Sequence, residues 1–182
     1  LRRQRQMCIR DRLSADPTVS VALLEAGGRD NYLWIHVPVG YLYTQNNPET
    51  DWCLKTEAEP GLNGRVLNYP RGRVLGGCSA INGMIYMRGQ ARDYDRWRQL
   101  GNASGGEWIV DEMRLSWEIL DAFRDAAAEV GIPKTSDFNR GDNEGCGYFQ
   151  VNQRRGVRLS TAQAFLKPVK GRANLKVFTH AE

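Results

Sequence analysis

The spacing of apolar positions changes several times along this chain, and each change predicts an element. Residues 19–25, VSVALLE, form a short apolar run that ends on an acid and is followed by Ala-Gly-Gly. That is the pattern of a buried parallel strand. Residues 174–179, NLKVFT, read as a further strand. Residues 116–130 carry the helical period instead, with Ile119, Phe123, Ala127 and Val130 on one face. Gly131 stops that helix and Pro133 follows it, as helix ends prefer. Residues 90–100 also read as a helix, with Tyr94, Trp97 and Leu100 as its packing stripe. Ser160-Thr161-Ala162-Gln163 is a capping-box pattern. It opens a short helix through Leu166 that Pro168 ends.

Between these segments the pattern is weaker. Residues 12–17 read as a helix end and a turn, and residues 31–50 as a long aromatic connection rich in Tyr, Trp, Pro and Asn. His36 stands alone there, which suits a packed or surface histidine better than a ligand. Residues 51–54 look like a strand entry, and 59–65 form a turn cluster joining two extended segments. Residues 107–110 read as a short strand, 137–145 as a polar loop and 148–153 as a weak alternating strand.

One stretch departs from all of these patterns. Residues 70–89, PRGRVLGGCSAINGMIYMRG, hold more glycine than a packed core wants and more apolar residues than a loop wants. Gly76 and Gly77 precede a small-faced apolar helix or turn over residues 80–86. Adjacent glycines before a helix start let backbone approach a ligand, and the first amides of the helix attract an anion. An ordinary tight turn with Ser79 as the cap is the other reading, and spacing leaves both open. Glu25 poses a similar choice. An acid closing the second strand of a dinucleotide fold accepts hydrogen bonds from ribose hydroxyls, whereas an exposed strand-end acid has no such role.

RGRVLGGCSAINGMIYMRG, continued by DYDRW at residues 93–97, resembles the first signature of the glucose-methanol-choline (GMC) oxidoreductases. The similarity is greatest to the choline dehydrogenase and alcohol dehydrogenase branch. The resemblance implies an α/β fold: part of an FAD-binding Rossmann-like domain with part of an α+β substrate domain. It implies that Glu25 binds ribose and that Trp52 lies near the flavin, with core packing the alternative for Trp52. It places Gly72, Arg73 and Val74 along the flavin, and Gly77, Cys78 and Ser79 at its diphosphate and ring. Asn82, Gly83, Met84 and Ile85 would pass beside the isoalloxazine. Ile81 occupies the place of the histidine that tethers flavin covalently in some members, so FAD is expected to be non-covalent. Arg158, in a Gly-x-Arg-x-Ser context, reads as structural.

Composition narrows the picture further. The 182 residues carry a formal net charge of +4, with 41% hydrophobic residues and a mean hydropathy of −0.54. That length suffices for a domain with a real core. Residues 1–12, LRRQRQMCIRDR, contain five Arg and one Asp, so they account for the whole excess. The neutral remainder gives no nucleic-acid surface. The head has no apolar core of a signal peptide and looks like translated adapter sequence, so it is expected to be non-native. No apolar run is long enough for a transmembrane helix. Cys8, Cys53, Cys78 and Cys146 show no metal-site or disulfide-framework spacing, which points to a reducing, cytoplasmic setting. Membrane association of the full-length enzyme stays open. Asp93 and Asp95 point to different helix faces among arginines, so they read as a solvated surface.

Several expected parts have no match. The glycine-rich turn that precedes such a second strand should lie before Leu13, where the foreign-looking head stands. Gly145-Cys146-Gly147 is not a substitute, since Gln150 fills the third glycine position and no apolar strand precedes it. After Asn102 the sequence departs from the family pattern as though a segment were deleted. Alcohol oxidation by flavin also needs a proton acceptor with a pKa near working pH. The family's C-terminal histidine motif has no counterpart in His36 or His180, so no catalytic residue is assigned. The expected arrangement is a head over 1–12, an FAD-binding portion over 13–102, a substrate-domain portion over 103–157 and a return to the FAD domain over 158–182. The expected function is that of a fragment of an FAD-dependent oxidoreductase. It would turn a choline-like or other primary alcohol into the aldehyde, with an unspecified electron acceptor. The alternative is a non-catalytic flavin-binding or structural fragment.

Overall fold

The structure, a computed structural model, describes residues 11–87, 89, 110–140 and 143–181. The chain divides into two compact units, Leu1–Met84 with Arg155–Glu182, and Ile85–Arg154. The expected helix over 90–100 and the break after Asn102 lie outside the described residues.

In the first unit, β1 (Val21–Glu25) pairs in parallel with a strand from far along the chain, Leu175–Thr179. The register runs from Val21 opposite Leu175 to Glu25 opposite Thr179. Both strands fall where the apolar pattern puts them. Burial differs from the expectation: Leu24 is 67% exposed, and its partner Phe178 is also exposed. A two-stranded pair covers only what packs on it, and the face bearing these two side chains lacks a covering layer among the described residues. The aromatic connection is less irregular than expected. It contains α1 (Leu33–His36), a 3-10 turn over Pro38–Gly40 and α2 (Tyr41–Thr44). Trp34 stacks on Tyr43 with ring centroids 4.2 Å apart. β2 (Leu54–Lys55) and β3 (Asn68–Tyr69) then form a small antiparallel ladder around the turn at Pro60–Leu62.

The core of this unit sits on the glycine-rich stretch. Ile35, Val74, Ala80 and Ile81 are buried together, with Tyr32 packed against them. A buried carboxylate stitches the approach to it. Asp51 Oδ1 accepts from the amides of Arg71 (2.7 Å) and Cys53 (3.2 Å), and Oδ2 from that of Asn46 (2.7 Å). Those bonds offset the cost of removing the charge from water. Near the N-terminus, Arg172 Nη1 donates to the Asp11 carbonyl and to Ser14 Oγ, which ties residue 11 to this unit.

The second unit contains α3 (Glu118–Glu129), slightly shorter than predicted. Val151 bridges both Ile85 and Asp111, so the weak 148–153 pattern yields isolated pairing rather than a strand along its length. Lys134 bridges Cys146, and a Cβ on Gly147 would lie 2.0 Å from the Thr135 carbonyl oxygen. Close backbone approach, not a dinucleotide, explains that glycine. The predicted packing face of α3 is mostly open. Ile119, Phe123 and Val130 are 73%, 67% and 77% exposed, and only Ala127 is buried.

Candidate functional site

The end of β1 and the glycine-rich stretch, about 50 residues apart in sequence, meet in the first unit. Gly28 bridges Val74 in parallel, and the Leu75 amide donates to the Gly28 carbonyl at 2.9 Å. A Cβ on Gly27 would lie 1.8 Å from the Arg73 carbonyl oxygen, so only glycine allows this crossing. Glu25 stands at its mouth, with Oε1 accepting from the Gly27 amide at 3.0 Å. His180, which the sequence did not single out, closes the same corner. Its amide donates to the Gly27 carbonyl, and its ring lies where a Cβ on Gly28 would meet Cε1 at 3.2 Å. A residue beyond the end of a predicted parallel strand was the available signal.

The stretch itself turns sharply. Gly76 and Gly77 have φ of +100° and +56°, and Gly77–Ala80 forms a single 3-10 turn. Residues 80–86 contain no α-helix, so of the helix or turn allowed there the chain takes the turn. Three predicted ligand-facing residues have other employment. A Cβ on Gly72 would lie 2.3 Å from the carbonyl carbon and oxygen of Gly77, so its lost side chain makes room for backbone. Val74 is buried in the core, and its side chain does not line an open site. Ser79 Oγ donates to the Gly76 carbonyl at 2.7 Å, accepts from the Thr161 amide at 2.9 Å and lies 3.0 Å from Thr161 Oγ1. Its hydroxyl is therefore a staple between two segments. Cys78 Sγ accepts from the Gly72 amide at 3.4 Å.

The other predicted residues are placed differently. The Arg73 guanidinium lies over the Trp52 ring, 4.9 Å from its centroid. Asn82 Oδ1 accepts from the Met84 amide at 3.1 Å, closing an Asx turn that holds Met84 at φ +62°. Gly83 at the tip is exposed, and a Cβ there would meet nothing within 4 Å. Ile85 belongs to the second unit, where it is exposed and bridges Val151.

Arg158 completes the first unit's cluster. Only 2% exposed, it donates from Nη1 to Asn82 Oδ1 at 3.0 Å and to the Ser79 carbonyl at 3.4 Å. Burial away from water pulls its pKa below the ordinary arginine range, down to about 10. Its Nε and Nη2 have no hydrogen-bond partner among the described residues. Ser160, two residues on, caps the next turn by accepting from the Gln163 amide at 3.3 Å. Gln163 does not complete the capping box, because its side chain donates to Asp30 Oδ2 instead. The segment Ala162–Leu166 takes a π-helical turn.

Comparison with known proteins decides the family. The model described as GMC oxidoreductase matches residues 18–182. The chain belongs to the GMC oxidoreductase family. It is 36% identical over 198 residues to an alcohol dehydrogenase (acceptor) of Pseudomonas putida, covering 94% of this chain and 36% of that protein. It is 39% identical over 197 residues to an oxygen-dependent choline dehydrogenase of Vibrio vulnificus, covering 92% and 35%. Mitochondrial choline dehydrogenase of Homo sapiens is 34% identical over 198 residues, with coverage of 91% and 33%. Among solved structures, pyridoxine 4-oxidase from Mesorbium loti superposes with a TM-score of 0.79 at 29% identity, covering 96% of this chain and 40% of that one. An FAD-dependent oxidoreductase from Chaetomium thermophilum, at 24% identity and a TM-score of 0.77, supports the fold. The GMC chain spans about a third of the length of the curated relatives it matches. Among its described residues no helix is long and apolar enough to cross a membrane, and no cluster of three or more His, Cys, Asp or Glu could hold a metal.

Proposed function

We propose that this GMC chain is part of an FAD-dependent oxidoreductase that converts a small alcohol, choline or another primary alcohol, to its aldehyde. When bound, the flavin accepts hydride from the alcohol carbon. One observation carries the reading: the end of β1, with Glu25, meets the glycine-rich stretch at Gly27, Gly28 and Val74. A carboxylate at a strand end and a sharply turned backbone in one unit support that reading. The residues fit such a cofactor. Glu25 suits the ribose hydroxyls; the Gly77 amide already donates to the Val74 carbonyl at 2.7 Å, so the positive-φ backbone at Gly76 and the Cys78 amide suit the diphosphate. The exposed Asn82-Gly83 tip offers room beside a ring. Ile81 is buried and has no nucleophilic atom, in keeping with FAD held non-covalently. The first unit then serves the cofactor and the second the substrate, and Cys53, Cys78 and Cys146, all free thiols, suit a cytoplasmic setting. His36 Nε2 is 2.7 Å from the Asp30 carbonyl oxygen, a structural bond, so it is not assigned the role of base.

A second reading has its own support. The open apolar surfaces at Leu24, Phe178, Ile119 and Phe123 suit a polypeptide that is structural or non-catalytic by itself. Flavin absorbance of the purified chain, recorded after incubation with FAD and desalting, separates the two. Retained yellow flavin supports a binding module, and a colourless product rejects cofactor binding by this chain alone.

A further inference from the structure

Among the described residues of the first unit two charged side chains are fully buried without an ion-pair partner, Asp51 and Arg158; the Asp51 oxygens accept from three backbone amides, whereas Arg158 keeps two nitrogens unbonded. Arg158 is almost wholly removed from solvent, yet its two bonds go to a carbonyl and to an amide side chain, both neutral. No carboxylate bonds to it among the described residues, and Nε and Nη2 lack partners. A buried charge normally recovers its desolvation cost from an opposite charge. Among the described residues no carboxylate pairs with this charge, which is fixed by one bond to the Ser79 carbonyl and one to Asn82, beside Gly83. A fixed charge in a poorly screened interior acts over several ångströms without contact.

We propose that Arg158 is a positioning residue of the flavin site, whose charge acts through space on the flavin ring and favours its reduced state. The inference rests on the FAD reading above. In that reaction the alcohol gives up a hydride to the ring and its hydroxyl proton to a base, and the ring gains two electrons and one negative charge. A nearby cation stabilises that charge. A residue that served only to hold the turn would leave the ring's electronics alone.

The experiment uses the FAD-loaded enzyme that contains this chain and reads two properties besides turnover. One is the flavin midpoint potential. The other is the Kd for sulfite, a probe that adds to the ring and leaves it anionic. Arg158→Met should lower the potential and weaken sulfite binding on the order of tenfold. Arg158→Lys keeps the charge but loses the planar fork, so it should restore most of both. If Arg158→Met does not fold, Arg158→Gln decides. Its amide can still donate toward Asn82 Oδ1 and it carries no charge. Removing the charge while keeping a donor should then shift both readouts in the same direction as Arg158→Met. A yellow wild type whose variants keep its potential overturns the proposal alone. A Lys variant shifted as far as the Met variant also overturns it, because the fork rather than the charge would then matter. A wild type that retains no flavin overturns the FAD reading and this inference with it.

Discussion

The glycine-rich turn of the first unit and α3 of the second spend their residues in opposite ways. In the turn, nearly every group has a partner: Ser79 bonds to Gly76 and Thr161, Cys78 accepts from Gly72, and Asn82 holds Met84 and Arg158. In α3, Ile119, Phe123 and Val130 form a regular apolar face with most of its surface open to solvent. The turn has irregular geometry and a tight interior, whereas the helix has regular geometry and a loose surround. Regularity in the backbone is therefore a poor guide to where this chain is intolerant of change. Steric room and hydrogen-bond closure are better ones.

The sharpest test of that contrast is Gly72→Ala. The added Cβ would sit 2.3 Å from the Gly77 backbone, which cannot rotate away as a side chain would. Loss of cooperative unfolding, or a destabilisation above about 4 kcal/mol by urea titration, is expected. A stable Gly72→Ala chain would show that the crossing is not as tight as the distances require. Ser79→Ala ranks next. It strands the buried Thr161 amide and leaves the Thr161 hydroxyl and the Gly76 carbonyl one partner short. The cost should be about 1–3 kcal/mol, the penalty for an unsatisfied buried group, in the same titration. A change below about 0.5 kcal/mol would mean that water replaces the staple.

What could be foreseen from sequence follows the same division. β1 and its parallel partner were legible because each is a short apolar run, and α3 because its period is 3.6. The signature at 70–89 marked the turn but not its use. The family resemblance placed Gly72, Val74 and Ser79 at a ligand, and it did not foretell the internal contacts they make: close backbone packing at Gly72, the core at Val74 and the staple at Ser79. A glycine that admits a ligand and one that admits another strand are identical in sequence. Their difference lies in what stands opposite, and for Gly72 that is Gly77. The position of His180 was illegible for a related reason. Its place beside Gly28 depends on the parallel register of two strands separated by about 150 residues. The exposure of α3 was also illegible, because a hydrophobic stripe states what a helix can pack against but not whether that neighbour is there.

On the α3 side the expected effects are small. Phe123→Ser, on a largely exposed side chain, should change stability by less than about 0.5 kcal/mol and should improve solubility. A loss of several kcal/mol in the urea midpoint would show that the face is covered in solution and would erase the contrast with the turn.

The smallest effect is electrostatic and lies at the end of the same helix. Lys134 Nζ is 2.5 Å from Asp125 Oδ1, between side chains that are both exposed. That hydrogen bond first, and the lysine's charge second, hold the Asp125 carboxyl below its ordinary value of 3.8. A folded pKa below the unfolded one means that the unfolded chain binds the proton more readily. The contribution is therefore present at neutral pH and is lost as pH falls through the folded value. Exposed pairs of this kind are screened by salt and add little to stability. Carboxyl carbon shifts recorded by NMR against pH should place the Asp125 midpoint below 3.8, and Lys134→Met should move it upward. The urea midpoint at pH 7 should hardly respond. A large loss of stability in Lys134→Met would make this surface pair as consequential as the buried staple at Ser79, and the distinction between a closed turn and an open helix would no longer describe the chain.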